Sequence, residues 1–396
     1  ISAPSGETPD ADYQTFKTNN ATRNIVMIGA NDGMLHAFGI SDMTELMGYI
    51  PSAVYPRLKV LKETNYGESA GTEHAYHVNG AARQADLKLG VVNGTGGAWK
   101  TLFAGSLGQG GQGYHVLDVS SASTLTAASP VKWEWTDISD SDMGYSMPTP
   151  LIYNIRTSAT TVVPAVILAN GYENSWDDTG AGYGGQKTTA NSSALYIVNA
   201  DTGALIKKIS VTGGAGLSSP AGVDFGQDGI LDYVYAGEIN GKLWRFDLTK
   251  DDPNQFSVGA NPIFNAGVNQ PITIRPAIKQ VSKVDGTAVG NLVLFGTGKL
   301  LNDTDRASTT TQSFYAVLDT MADVPTTVLA SELKQRTIVN TATVSATGYR
   351  AGDYRKISVT PSTETEIDLI SETNTWKGWY LDLPDSSERL GTSPLL

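Results

Sequence analysis

One local pattern recurs along the 396 residues and limits what this chain can become. Asn24–Phe38 reads as a strand, an Asn31-Asp32-Gly33 turn and a returning strand. Tyr233–Leu248 repeats that grammar across Asn240-Gly241. Looser copies run from Thr101 to Asp118, from Val166 to Gly203 and from Leu292 to Asp319, and Trp379–Leu383 reads as a sixth half-copy. Each full copy pairs an apolar strand with a second strand that mostly ends aromatic-x-x-apolar-Asp. A lone hairpin of this kind leaves one face bare, so neighbours must stack. The spacing of the copies favours an all-β fold, a β-propeller of about seven blades with long loop insertions, some blades escaping sequence reading. A β-sandwich is the alternative with regular strands and turns, but repetition of a single motif points to the propeller. We expect residues 1–396 to form one such domain.

Composition agrees. The chain holds 42 Gly, 17 Tyr and 7 Trp with only 17% charged residues, which suits short strands and tight turns. A net charge of −12 argues against nucleic acid and anionic membranes as partners. There is no cysteine, which is compatible with bacterial export. No apolar run is long enough for a transmembrane segment. The start at Ile1 and the end at Leu396 read as cuts from a longer protein.

Asp224-Phe-Gly-Gln-Asp228-Gly-Ile-Leu-Asp232 carries the most specific chemistry. Its carboxylates fall at positions 1, 5 and 9, with Gly229 at position 6. A glycine in the left-handed region lets alternate residues point inward, so Asp224 and Asp228 can share one ion. The backbone carbonyl of Ile230, at position 7, faces the same point, and Asp232 closes the cage. The pattern is a shortened EF-hand loop. All-oxygen ligands favour Ca²⁺ over zinc or copper. The bland reading is an Asp/Gly turn between strands. Gly226, at position 3, offers no side-chain oxygen, so water or an outside group must fill that vertex.

Other features carry less. Ser52–Lys62 is the one stretch with helical periodicity. Glu173, Asp177 and Asp178 lie in a long polar insertion and read as a solvated loop rather than a second ion site. His74 and His77, beside Glu73, read as making structural hydrogen bonds rather than as ligands. Gly108–Gly113 joins two strands without opening a helix, so it reads as a hairpin turn and not a phosphate loop. No Gly-x-Ser-x-Gly elbow is present.

Gly29–Phe38 and Ser219–Leu248, with Phe295–Gly298 and Lys377–Pro384, resemble in order the PilY/PilC family of type IV pilus tip-associated proteins. The resemblance implies a modified quinoprotein-like propeller, the C-terminal half of an exported protein. It implies a pilus-tip or cell-surface location, associated with the outer membrane. Implied roles are pilus biogenesis, host-cell adhesion and twitching motility, with calcium tuning extension against retraction. Pilin subunits or minor pilins, and a host-cell receptor, are the implied partners. Asp224, Asp228 and Asp232 match the family's side-chain ligands and Ile230 its carbonyl ligand, while Gly226 departs from the usual Asn or Asp. No enzymatic activity is expected. A quinone-dependent dehydrogenase would need carboxylates converging on the propeller axis, whereas these cluster in one loop. A generic assembly scaffold would share the fold and lack the loop.

Overall fold

Strands rich in aromatic and β-branched residues, interrupted by Gly-centred turns, satisfy their backbone by pairing with sequence neighbours. The computed structural model describes residues 11–68, 74–92, 95–126, 130–173, 176–177, 185–186, 192–344, 352–357, 369 and 376–394. The chain divides into two compact units, Ile1–Val234 with Phe246–Val258, and Tyr235–Arg245 with Gly259–Leu396.

The first unit opens with helix α1 (Ala11–Asn19), followed by three antiparallel sheets in chain order. The first holds β1 (Ile25–Gly29), β2 (Leu35–Gly39) and β3 (Glu45–Tyr49), side by side. The second holds β4 (Ala82–Val92), β5 (Thr95–Ser106), β6 (Gly113–Asp118) and β7 (Val131–Thr136), again in sequence order. The third holds β8 (Leu151–Ser158), β9 (Thr161–Ala169), β12 (Ser193–Asn199) and β13 (Leu205–Val211). A two-residue hairpin, β10 (Trp176–Asp177) with β11 (Gly185–Gln186), lies in the insertion between β9 and β12. A further sheet orders β14 (Ala221–Val223), β15 (Tyr233–Gly237), β16 (Lys242–Asp247) and β17 (Ser257–Val258), with β18 (Phe264–Asn265) also on β16. The chain leaves the first unit within β15 and returns within β16.

In the second unit β19 (Ala277–Ser282), β20 (Ala288–Gly296) and β21 (Ser313–Asp319) pair in order. Past them β22 (Lys334–Arg336) and β23 (Ile338–Val344) precede β24 (Gly352–Ile357) and β25 (Gly378–Asp382). Here the structure differs from the sequence expectation. The half-copy at Trp379–Leu383 is not a separate repeat: β25 pairs antiparallel with β21, Tyr380 opposite Tyr315. In this ladder Gly378 and Trp379 stand opposite Val317 and Ala316.

Stacking of sheets is visible in the alternation of single strands. All six residues of β6 are buried. Tyr114 and Val116 join Trp133, Trp135, Leu168 and Tyr196 in one cluster, while Leu117 joins Leu35, Val54 and Leu107 in another. A strand buried on both faces needs apolar residues at odd and even positions alike. Each large apolar side chain so buried stabilises by about 1.5–3 kcal/mol. The second and third sheets are also pinned by Trp133, whose indole Nε1 donates to the Ala200 carbonyl at 3.0 Å. Gly203 makes this possible: its φ is +74°, and a Cβ there would stand 2.7 Å from the indole Cγ.

Ser52–Lys62 is helical, in the 3-10 form. Its buried Arg57 donates to the carbonyls of Gln109 and Gly110, so the Gly-rich segment between β5 and β6, which opens with a single 3-10 turn at Gly108–Gly110 rather than a plain hairpin turn, packs on this helix. No helix among the described residues is long and apolar enough to cross a membrane.

Candidate cation-binding loop

Asp224–Asp232 links β14 to β15. Strand pairing fixes both ends: the Asp232 amide donates to Val223 O at 2.9 Å, and the Leu248 amide to Asp232 O at 2.8 Å. Its flank is tied to the third sheet, where the Leu231 amide donates to Asn154 O at 2.9 Å. Between these anchors the chain turns through two left-handed residues, Gln227 (φ +58°) and Gly229 (φ +84°). Gly229 does so without strain, while Gln227 is held there by its surroundings.

The carboxylates face inward onto the loop's own amides. Asp224 Oδ1 accepts from the Asp228 amide at 3.1 Å and Oδ2 from Gly229 at 2.8 Å. Asp232 Oδ2 accepts from Phe225 at 2.7 Å and Gly226 at 2.9 Å. Asp228 Oδ1 accepts from Ile230 at 3.0 Å, and its Oδ2 from the guanidinium of Arg156 on β8 at 3.1 Å. Burial holds the Asp232 carboxyl above the usual carboxylate range, and the charges of Asp228 and Asp224 add to this against the two amide bonds. The charges of Asp224 and Asp228 therefore reach Asp232. Among the described residues, however, no three His, Asp or Glu side chains are drawn together at metal-ligand spacing. The donor set is all oxygen and suits a hard cation. In this conformation backbone amides and Arg156 take up the negative charge.

Two features complete the site. A Cβ built on Gly226 would stand 3.7 Å from Asp232 Oδ2 and 3.9 Å from Asp228 Cγ, so position 3 faces both acids. Arg156, which also lies 3.7 Å from Asp251, was not foreseen. It stands 72 residues before Asp228, and only the β8 pairing brings it there. The ring of Phe225 meets Tyr233 edge-on at 6.1 Å, packing the loop against β15.

The remaining sequence candidates are separated. His77 is fully buried with both ring nitrogens unpaired, whereas His74 is exposed between Tyr66 and Tyr76; Glu73 lies outside the described residues. Glu173 is described (φ +55°), while the side chains of Asp177 and Asp178 lie outside the described residues.

Sheets built mostly from consecutive antiparallel strands, the first three sharing apolar clusters, and an acidic loop between two strands define a β-propeller with a candidate ion-binding loop. Residues 3–342 match the family model described as the PilY1 beta-propeller domain, and the chain belongs to that family. Among curated relatives, type IV pilus biogenesis factor PilY1 of Pseudomonas aeruginosa (strain PAO1) is 32% identical over 410 aligned positions, covering 94% of this chain and 32% of that protein. A PilY1 homolog of Xylella fastidiosa is 29% identical, covering 97% of this chain and 25% of its own length. The chain thus spans a third or less of the curated relatives named here. The crystal structure of the Pseudomonas aeruginosa PilY1 C-terminal domain superposes with a TM-score of 0.70 at 31% identity, covering 94% of this chain and 73% of that one.

Proposed function

We propose that this propeller is the calcium-binding domain of a type IV pilus biogenesis factor and tip adhesin, exported and displayed at the pilus tip or cell surface in association with the outer membrane. It acts there without catalysis, supporting pilus extension against retraction, twitching motility and host-cell adhesion. Its partners are pilin or minor pilin subunits and a host-cell receptor. The family membership supports the pilus role. The observation that supports the calcium reading is that Asp224, Asp228 and Asp232 lie on one strand-anchored loop, with Gly226 open toward two of them.

Asp224, Asp228 and Asp232, with the Ile230 carbonyl, would hold the ion, and water would complete the shell at Gly226. Bound calcium supplies positive charge that neutralises the crowded acids. The protein's part is to fix both ends of the loop, through Val223, Leu248 and Asn154, so that its carboxylates stay close. Arg156 competes for Asp228 and moves aside when the ion binds. A loop with ion-bound and ion-free forms is a two-state element that a pilus machine can read, provided one form binds the ion better.

The test is a calorimetric Ca²⁺ titration of chelator-treated protein beside Asp224→Ala and Asp232→Ala, with the same variants scored for piliation and twitching. One-to-one binding lost in both variants, together with altered motility, supports the proposal. Absence of heat and of any calcium-dependent rise in melting temperature would remove calcium from it. Normal piliation in cells lacking the protein would remove the pilus role.

A further inference from the structure

We propose that Glu238 holds a dehydrated monovalent metal cation, of the sodium or potassium class, inside the β15–β16 turn. The site is separate from the Asp224–Asp232 loop and independent of the calcium and pilus readings.

Five acidic side chains are buried among the described residues, and four of them have partners. Asp86 accepts from Tyr13 and Thr101, and Asp118 from Ser120 and Lys100. Asp305 pairs with Lys299, and Asp319 with Arg245 and Tyr235. Glu238 is the fifth. It has no exposed surface, and neither carboxylate oxygen receives a hydrogen bond. A buried charge left alone is strongly unfavourable, so such a group signals an ion or a water held against it. Neither oxygen is open to solvent, which favours a bare ion over water.

Nothing in the turn itself calls for an acid. The first sheet builds the same turn at Ala30–Met34, where the Ala30 amide bonds Met34 O and Ala30 O accepts from Gly33 and Val78. Between β15 and β16 the Glu238 amide bonds Lys242 O, and Glu238 O accepts from Gly241 and Ile272. Alanine thus suffices where glutamate stands. In two other sheets the same position is polar and used up by the fold. Asn170 donates to Asp142 O and Ser192 O and accepts from the Ala194 and Leu217 amides. Thr297 exchanges bonds with Ser313.

The other oxygens at the turn are neutral. Asn240, two residues on, has a buried amide oxygen that also lacks a donor. Its counterpart Asp32 spends a side-chain oxygen on the Met34 amide at 2.9 Å. A Cβ on Gly237 would stand 3.0 Å from Ile272 O, and one on Gly241 2.1 Å from Gly267 O and 2.9 Å from Gln270 O, so backbone carbonyls crowd the turn. Oxygen donors alone suit a hard cation. One carboxylate is balanced by one positive charge, and a divalent ion would leave the interior with an uncompensated charge. No lysine, arginine or histidine among the described residues pairs with Glu238, and its enclosed carboxylate offers no opening for one from elsewhere.

The test is thermal unfolding of the full chain at fixed ionic strength and fixed Ca²⁺, in KCl, NaCl or choline chloride. The wild type should melt about 5 °C higher in KCl or NaCl than in choline chloride. Glu238→Gln should abolish that difference and melt above the wild type in choline chloride, because it strands no buried charge. Asn240→Ala should raise the metal concentration needed for half of the rise about tenfold, the equivalent of one lost ligand. Equal melting of the wild type in the three salts would overturn the proposal, as would a salt dependence that survives Glu238→Gln. Glu238→Gln lowering stability equally in all three salts would do so too, since it would reveal a partner within the chain. A Glu238-dependent rise in the melting temperature of Asp224→Ala on adding Ca²⁺ would put a divalent ion at the turn and likewise overturn it.

Discussion

Acidification of His115 offers the sharpest test of the packing between the first two sheets. His115 lies on β6, 1% exposed, with Phe103 stacked at 6.1 Å and Tyr49 edge-on at 5.7 Å. Neither ring nitrogen has a partner. Across the ladder stands Gly105, and a Cβ there would collide with the imidazole Nε2. Burial pushes the pKa from 6.5 down to about 4. In the unfolded chain the same imidazole titrates near 6.5. Between these values the unfolded state binds a proton that the folded state does not, so stability falls as the pH drops through 6.5 and the loss is complete below about 4. At about 1.4 kcal/mol per unit the full loss is about 3.5 kcal/mol, most of it present at pH 4.5. Other groups titrate in the same window, including His36, whose pKa is raised by Glu45 and Asp32 and which acts with the opposite sign. The measurement is therefore a difference of differences. Denaturant unfolding of the wild-type chain and of His115→Leu is compared at pH 7 and pH 4.5. The packing change cancels, and the wild type should lose about 2–3 kcal/mol more than the variant. Equal losses in the two proteins would refute the reasoning, because His115 would then carry a partner or water in both charge states.

Three further outcomes are expected. Gly226→Asn should tighten Ca²⁺ binding about tenfold in calorimetry, since the new side chain meets Asp232 and Asp228 at ordinary contact distance and adds an oxygen ligand. Arg156→Gln should also raise calcium affinity, by removing the guanidinium that competes for Asp228 Oδ2; unchanged affinity would place the ion away from Asp228. In the second unit Arg245 and Asp319 form a buried pair at 2.9 Å, joined by Tyr235. Arg245→Met alone should cost about 3–5 kcal/mol of stability by stranding the carboxylate, and adding Asp319→Leu should recover part of that in thermal melts.

Much of the fold can be read from local pattern. Asn31-Asp32-Gly33 and Asn240-Gly241 announce their hairpins because only a few residues accept the backbone angles such turns need, and Gly33 and Gly241 have φ of +99° and +82°. The apolar runs at Val166–Ala169 and Leu195–Val198 announce strands buried on both faces. The half-copy at Trp379–Leu383 was legible as a strand but not as a partner of β21, because pairing depends on which edge is left open after the preceding strands are placed. For the same reason the edge position of β1 among the described residues has no sequence signature: Ile25–Gly29 looks like any other strand of the chain.

The loop shows the same division. Spacing by itself determined that Asp224, Asp228 and Asp232 sit on one tight turn with Gly229 left-handed, because short-range backbone geometry ties those residues together. Tertiary structure alone decided what surrounds them. Strand pairing set Asn154 and Leu248 at the loop's ends, and the β8 register delivered Arg156 to Asp228. Contacts between residues far apart in sequence arise from how sheets stack, and stacking is settled by the whole core rather than by any one segment.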